Sequence, residues 1–466
     1  MEFDALLLSR IQFAFVIAFH IVFPAFTVGL ASYIAVLEGL YLVKRDDRYL
    51  RASKFWLRIF AVSFGMGVVS GIVMPFQFGT NWALFAEKTA NVVGPLLAYE
   101  GLTAFFLEAG FLGVLLFGRE RVPPWVHFGA AVLVAAGTLF SSFWILAFNS
   151  WMQTPVGHVV EAGRFIPDSF AAIIFNPSFP YRLAHTVCGF YVTTGFVVLG
   201  VSAYHLARGQ HRDVSRLTAR MAVGFLTLMV PLQIAIGDAH GLNTLKHQPA
   251  KVAAMEGLWV TSAPAASVLF AIPDQEAQAN RFEIAIPRLA SLYLTHSWGG
   301  RVTGLEAFDR ADQPPVAPVF FAFRVMVGVG VLMLAVAWWG AWLTWRGRLE
   351  TSTRFLAVAR WMAPSGFIAV LAGWTVTEVG RQPWTVYGLL RTADSVTPSL
   401  TTSDVGLSLL AYVTVYALVY AAAGYYLVRL VRHGPAEAPG PAPHARPARP
   451  LSAPSLAFDD PVRHVD

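Results

Sequence analysis

Nine stretches of this chain stay apolar for about 20 residues or more, the length that crosses the hydrocarbon of a bilayer, and no water-soluble fold buries so many. They lie near 11–42, 55–79, 94–117, 126–149, 181–207, 218–238, 317–345, 355–380 and 403–431. Of 466 residues, 56% are hydrophobic and 13% charged, which excludes a single soluble globule. The expected fold is an all-α integral membrane protein with about nine transmembrane helices. Glu2, Asp4 and Arg10 precede a first run that continues to Val43, too long for the apolar core of a signal peptide, so no cleaved leader is expected.

The net charge of +6 is spread over the connections, which argues against nucleic-acid binding. Eighteen Lys and Arg flank one set of helix ends, among them Lys44, Arg45, Arg48, Arg51, Lys54 and Arg58, against six at the other. Cations resist translocation, so the N-terminus is expected outside, in the periplasm, and the C-terminus in the cytoplasm. Residues 1–238 then carry six spans, 239–316 a long outer connection, 317–433 three further spans, and 434–466, rich in Pro, Ala and Arg, a disordered cytoplasmic tail. One cysteine, Cys188, lies inside an apolar run, which excludes a disulfide framework, a c-type haem attachment site and a Cys-based metal site. Any metal must be held by His, Met or carboxylate. No internal repeat of the kind that marks many transporters is present.

Ionisable groups inside apolar runs are costly and are the first candidates for function. His20 sits within AFVIAFHIVFPAF, His185 opens the fifth span in YRLAHTVCGFY, and Met326 follows Arg324 in FFAFRVMVG. Each also has a bland reading, as an interhelical hydrogen-bond partner for the histidines and as packing for the methionine. In GWTVTEVGRQPW, Glu378 is followed by Arg381 and by Pro383, which should end the eighth helix; the two charges could simply neutralise one another. Glu100 and Glu108 in YEGLTAFFLEAG stand eight residues apart on the third span, about 12 Å of rise with an offset of about 80° on a straight helix. Two acids without a nearby base favour proton conduction over neutral structural carboxyls. In the outer connection, KVAAMEGLW places Lys251 and Glu256 five apart, either as a solvated charge pair or as the base and hydrogen-bonding group of a quinol site at the membrane edge.

SRIQFAF, QFGTNW, EGLTAFFLE, WMQTP, the Lys-x4-Glu of the outer connection and GRQPW occur in the order in which they stand in cytochrome bd oxidase subunit I, and the chain resembles that family over nearly all its membrane portion. The resemblance implies a terminal quinol oxidase that reduces oxygen to water. By it, His185 and Met326 are axial ligands of a low-spin haem b, whose filled coordination leaves it only electron transfer. His20 and Glu378 are ligands of a high-spin haem b and a haem d, in an order the sequence leaves open. Trp374 stands among the haems, and Arg324 and Arg381 pair with propionates. Lys251 and Glu256 mark the quinol site, with Asp238 beside it, and Glu100 and Glu108 form the proton path from the cytoplasm. The stretch from Pro287 to Val316 resembles the short-loop, cyanide-insensitive branch, which leaves haem d open to replacement by haem b. A second oxidase subunit and small single-span subunits are the implied partners, and the bacterial inner membrane the implied location. Two rivals carry less. A proton-coupled secondary transporter accounts for Glu100 and Glu108 but not for ligands on separate helices, and a generic di-haem cytochrome b lacks enough membrane histidines.

Overall fold

The computed structural model describes residues 4–436; the tail expected to be disordered falls, from residue 437 on, outside the described residues. Among these residues, nine helices are long and apolar enough to cross a membrane: Ala5–Lys44, Asp47–Thr80, Ala83–Phe117, Pro124–Gln153, Phe179–Ala207, Arg212–His247, Val316–Trp345, Thr353–Val379 and Thr402–His433. All nine expected spans are present, most of them longer than their apolar cores, because a helix that satisfies its own backbone in lipid can run on into the headgroups. The sixth continues to His247, so the first residues counted as outer connection are helical.

Local sequence explains the ends and breaks. Asp4 caps the first helix by accepting from the Leu7 amide at 2.7 Å. That span is not continuous: it stops at Ile21 and restarts at Pro24, whose missing N–H is harmless at a helix start. The third span contains a π-helical turn at Glu100–Phe105 between α-helical Ala83–Tyr99 and Phe106–Phe117. A capping box of Thr401 and Asp404 opens the ninth.

Lipid tails are as apolar as the side chains they meet, so the helices are held mainly by close packing. A Cβ on Gly195 would stand 2.7 Å from Leu226, and one on Gly29 would stand 2.8 Å from the Thr194 Cβ, so spans one, five and six meet backbone to side chain. Leu30, Trp56, Phe60, Phe196 and Phe355 fill the largest apolar core. Leu228, Phe106, Leu407 and Leu418 stay 64–74% exposed on the perimeter, where lipid would lie.

The connections after the even-numbered spans carry three antiparallel hairpins, His158–Glu161 with Arg164–Pro167, Ser267–Asp274 with Ala279–Ile286, and Trp384–Val386 with Leu390–Arg391. They knit into one cap: Gln248 donates to the Gln153 carbonyl at 2.9 Å, the Tyr387 amide to Met152 at 2.9 Å, and Arg391 meets Asp312 at 2.5 Å.

Candidate functional site

Beneath the cap, spans five, six, seven and eight and the helix Pro249–Glu256 surround a cavity of about 700 Å³, within the range of pockets that hold a whole cofactor or substrate. His185, Met326, Arg324, Lys251, Glu256 and Trp374 all line it, and so does Asp238. Seven of the twelve residues singled out on the sequence therefore face one space, although they come from five separate segments.

Lys251 and Glu256 are 3% and 1% exposed, which removes the reading of a solvated charge pair. They also do not pair with each other. The Lys251 ammonium donates to Gln153 Oε1 at 2.7 Å and to the Thr377 carbonyl at 3.1 Å. Glu256 accepts from the Tyr293 hydroxyl at 2.7 Å and meets Arg324 at 3.3 Å. Burial, followed by the neighbouring Arg182 and Arg381, drives the Lys251 pKa well below that of a free lysine. Burial raises Glu256 above the ordinary carboxylate range despite the pull of Arg324 and Tyr293, and pushes the Tyr293 phenol up as well, with Glu256 adding to it. A buried lysine inclined to lose its proton and a buried glutamate inclined to keep one are groups poised for proton exchange.

Around His185 the packing is shaped to leave the ring free. A Cβ on Gly237 would come within 3.1 Å of its Cε1, and one on Gly373 within 2.9 Å of the Met326 sulfur, so glycines stand where larger residues would crowd both side chains. Gln233 reaches His185 Nδ1 at 3.2 Å, and its Oε1 is otherwise buried without a partner among the described residues. Turned so that Oε1 accepts from Nδ1–H, the amide leaves Nε2 with a free lone pair.

Glu378 and His20 lie off this cavity. Glu378 accepts from Asn149 Nδ2 at 2.8 Å and pairs with Arg381, so the mutual neutralisation open on the sequence does occur. It is incomplete, because Arg381 keeps Nε and Nη1 buried without partners among the described residues, and burial holds its pKa below the usual arginine value although Glu378 raises it. The helix ends at Val379, before Pro383, as expected. His20 Nδ1 meets Ser70 Oγ at 3.0 Å, with Gly71 leaving room beside the ring. Ile21, next to His20, shares an apolar cluster with Trp374.

Glu100 and Glu108 stand apart from all of these. Glu100 is half-buried and accepts from Ser141 Oγ at 2.7 Å. Glu108 is 6% exposed, and its Oε1 has no partner among the described residues. The π-helical turn between them invalidates the straight-helix offset, since each i to i+5 turn carries extra residues and rotates the helix beyond it; such turns gather at functional sites.

Four residues carry too little signal in the sequence to be found there. Arg182, one turn before His185 in YRLAH, is 5% exposed, lines the cavity and leaves Nε unpaired, yet in the sequence it looks like a loop charge. His240, two residues past Asp238, has a ring centroid 5.4 Å from that of His185 and an Nε2 without a partner among the described residues. Asn149 and Tyr293 are ordinary in composition and significant only through the carboxylates they touch. Arg324 spends its donors on the Met255 and Val268 carbonyls and on Glu256, which makes it a clamp on the loop helix; Arg182 and Arg381 are the neighbouring cations that keep donors without partners among the described residues.

Comparison with known proteins decides what this arrangement belongs to. Residues 8–435 match the family described as Cytochrome bd terminal oxidase subunit I. The chain belongs to that family. Among its relatives, the cytochrome bd ubiquinol oxidase subunit 1 of Bacillus subtilis (strain 168) is 37% identical over 440 residues, covering 92% of this chain and 94% of the relative. The cytochrome bd-II ubiquinol oxidase subunit 1 of Escherichia coli (strain K12) is 33% identical, over 93% and 97%. The structure of bd oxidase from Geobacillus thermodenitrificans superposes with a TM-score of 0.86 at 28% identity, covering 93% of this chain and 99% of that one. The cytochrome bd subunit is thus a multi-pass protein of the bacterial inner membrane and an oxidoreductase, and the transporter alternative loses its footing.

Proposed function

We propose that the chain is the haem-bearing subunit of a respiratory quinol:oxygen oxidoreductase that oxidises quinol at the cavity and reduces oxygen to water. The observation that carries this is one cavity of about 700 Å³ in which His185 and Met326 stand beside the buried Lys251 and Glu256. The bound haems supply one-electron transfer and the redox chemistry of oxygen reduction. His185 Nε2 and the Met326 sulfur would hold a low-spin haem b, with the glycines facing them making room. His20 and Glu378 would hold the other two, a high-spin haem b and either haem d or a further haem b, with Trp374 packed on the cluster that contains Ile21. The unpaired donors of Arg182 and Arg381 ask for carboxylates, which propionate arms provide.

Glu256 takes the quinol hydroxyl proton. Its raised pKa lets it hold that proton before release, and Tyr293 orients the carboxylate. Lys251, fixed by Gln153 and Thr377, donates to a quinol oxygen. With the loop cap outside, as the distribution of Lys and Arg indicates, quinol protons leave on the periplasmic face. The protons consumed in making water pass Glu108 and Glu100 from the cytoplasm. Release and uptake on opposite sides build a membrane potential without a pump, worth about 2.3 kcal/mol per charge at 100 mV. A second oxidase subunit completes the complex, with small single-span peptides at its edge.

Pyridine haemochrome analysis of the purified complex, with quinol-driven oxygen uptake, tests the assignment. Three haems and turnover are expected, and a colourless complex would sink it.

A further inference from the structure

The hairpin Ser267–Asp274/Ala279–Ile286 carries a surface at odds with water. Phe270, Ile272, Phe282, Ile284 and Ile286 are 43–78% exposed; in the second strand Ile284 and Ile286 alternate onto one face, and Phe282 stands at a bulge with a φ of +52°. An extramembrane hairpin with such a face would be an aggregation site.

Its position along the seventh span gives the reason. At the tip, Gln275 Oε1 accepts from the Val316 amide at 3.0 Å and Gln278 donates to Gln313 at 2.9 Å, so the tip is level with the start of that helix. At the base, Arg324 Nε donates to the Val268 carbonyl at 3.0 Å. Eight residues separate Val316 from Arg324, so the base lies about 12 Å further along the helix axis. The span has 30 residues. It is about 45 Å long against about 30 Å of hydrocarbon, so roughly 7 Å projects at each end and the hairpin base reaches past the boundary into the leaflet. Charge is densest at the tip, where Asp274, Glu276 and Arg281 cluster and Asp274 pairs with Arg281 at 2.5 Å; Glu283 accepts from Asn280 at 2.7 Å, Phe270, Ile284 and Ile286 lie toward the base, and Arg288 follows the second strand. Phe270 packs on Phe321 at 6.4 Å, and Phe321, Val325, Val327 and Val331, all 39–58% exposed, continue the apolar surface down the span.

We propose that this hairpin is immersed in the loop-side leaflet, with its apolar face against lipid acyl chains, and that its base and the seventh span form the two lips of a lateral door through which a lipid-dissolved quinol enters the cavity. Val268 and Leu269 on the hairpin and Val327 and Val331 on the span line the cavity and flank that opening. The lipid contact stands on geometry alone; the door rests on the quinol reading above.

The chain's only cysteine, Cys188, is buried. A nitroxide on Ile284→Cys in the complete complex, reconstituted in liposomes, therefore reports the face directly, with Glu276→Cys as the control at the tip. The Ile284 label should collide more with molecular oxygen, which concentrates in lipid, than with a water-soluble nickel chelate, and the tip label the reverse. Preference for the chelate at Ile284 overturns the proposal, and so does a label shielded from both, which means a protein partner covers the face. In the second arm, Phe282→Asp/Ile284→Asp should raise KM about tenfold for a long-tailed quinol in liposomes and leave kcat and the KM of a short-tailed soluble quinol unchanged. An equal change for both quinols overturns the door. If no quinol is oxidised at all, the functional assignment fails while the label still reads the lipid contact.

Discussion

The cavity under the cap and the carboxylates of the third span differ in how much of their surroundings this chain supplies. Glu256 is enclosed at 1% exposure between Arg324 and Tyr293, on a helix whose eight residues are almost all buried. Glu108 is buried too, but Oε1 has no partner among the described residues, and only 17% of the most apolar stretch of its span lies inside the chain. A buried charged or polar group without a partner is expensive. The cavity is therefore a finished site, whereas the third span keeps a buried acid without a partner among the described residues. The cavity should then tolerate the least change, and the third span should respond in degrees.

The sharpest break of this contrast is at the proposed haem-ligand positions. His185→Ala or Met326→Ala should abolish the low-spin b absorbance in reduced-minus-oxidised spectra while the remaining haem signals persist. An intact low-spin signal would remove that ligand pair. Next in size is Glu256→Gln, which should cut kcat/KM by about a hundredfold. Its pH signature comes from burial, which raises the pKa above the usual carboxylate value. As a base Glu256 works ionised, so the activity of the unmodified enzyme should climb with pH along a limb lying above pH 4.5, and the glutamine variant should lack that limb. Stability runs the other way: a carboxyl whose folded pKa is raised contributes fully below pH 4.5, and that contribution is lost as pH rises through the folded value. The variant should not show this decline in thermal unfolding.

Glu108→Gln belongs to the other half of the comparison. It should slow oxygen consumption by roughly tenfold to a hundredfold with haem content near normal. Unchanged turnover would take Glu108 out of the proton path and leave it a neutral carboxyl in the membrane.

How far each half was legible in the sequence reflects the same division. Nine spans could be read because lipid imposes one length and one composition on each, and the eighth helix ended before Pro383 because proline cannot continue it. The break at Val22–Phe23 and the π-helical turn at Glu100 could not, since both depend on packing against other helices that no local pattern announces. In the site, titratable residues stood out against apolar runs wherever they were rare. Arg182 did not, because a cation near a span boundary looks like a loop charge until the fold shows it buried. Lys251 and Glu256 were visible as a pair, but their true partners, Gln153 and Thr377 for one and Tyr293 and Arg324 for the other, lie up to 126 residues away in sequence.

The smallest effect tests whether the third span works through hydrogen bonds or through its carboxyls alone. Ser141 donates to the Glu100 carboxylate at 2.7 Å, and Ser141→Ala removes that bond without touching either acid. One neutral donor to a carboxylate is worth about 1–2 kcal/mol, so turnover should fall roughly fivefold to thirtyfold if Glu100 must be held in place for transfer. In a Glu100→Gln background the serine substitution should then cost almost nothing further, because two members of one network do not add. If instead the two losses multiply, Ser141 and Glu100 act on separate steps, and the third span would be two independent polar sites and not one relay.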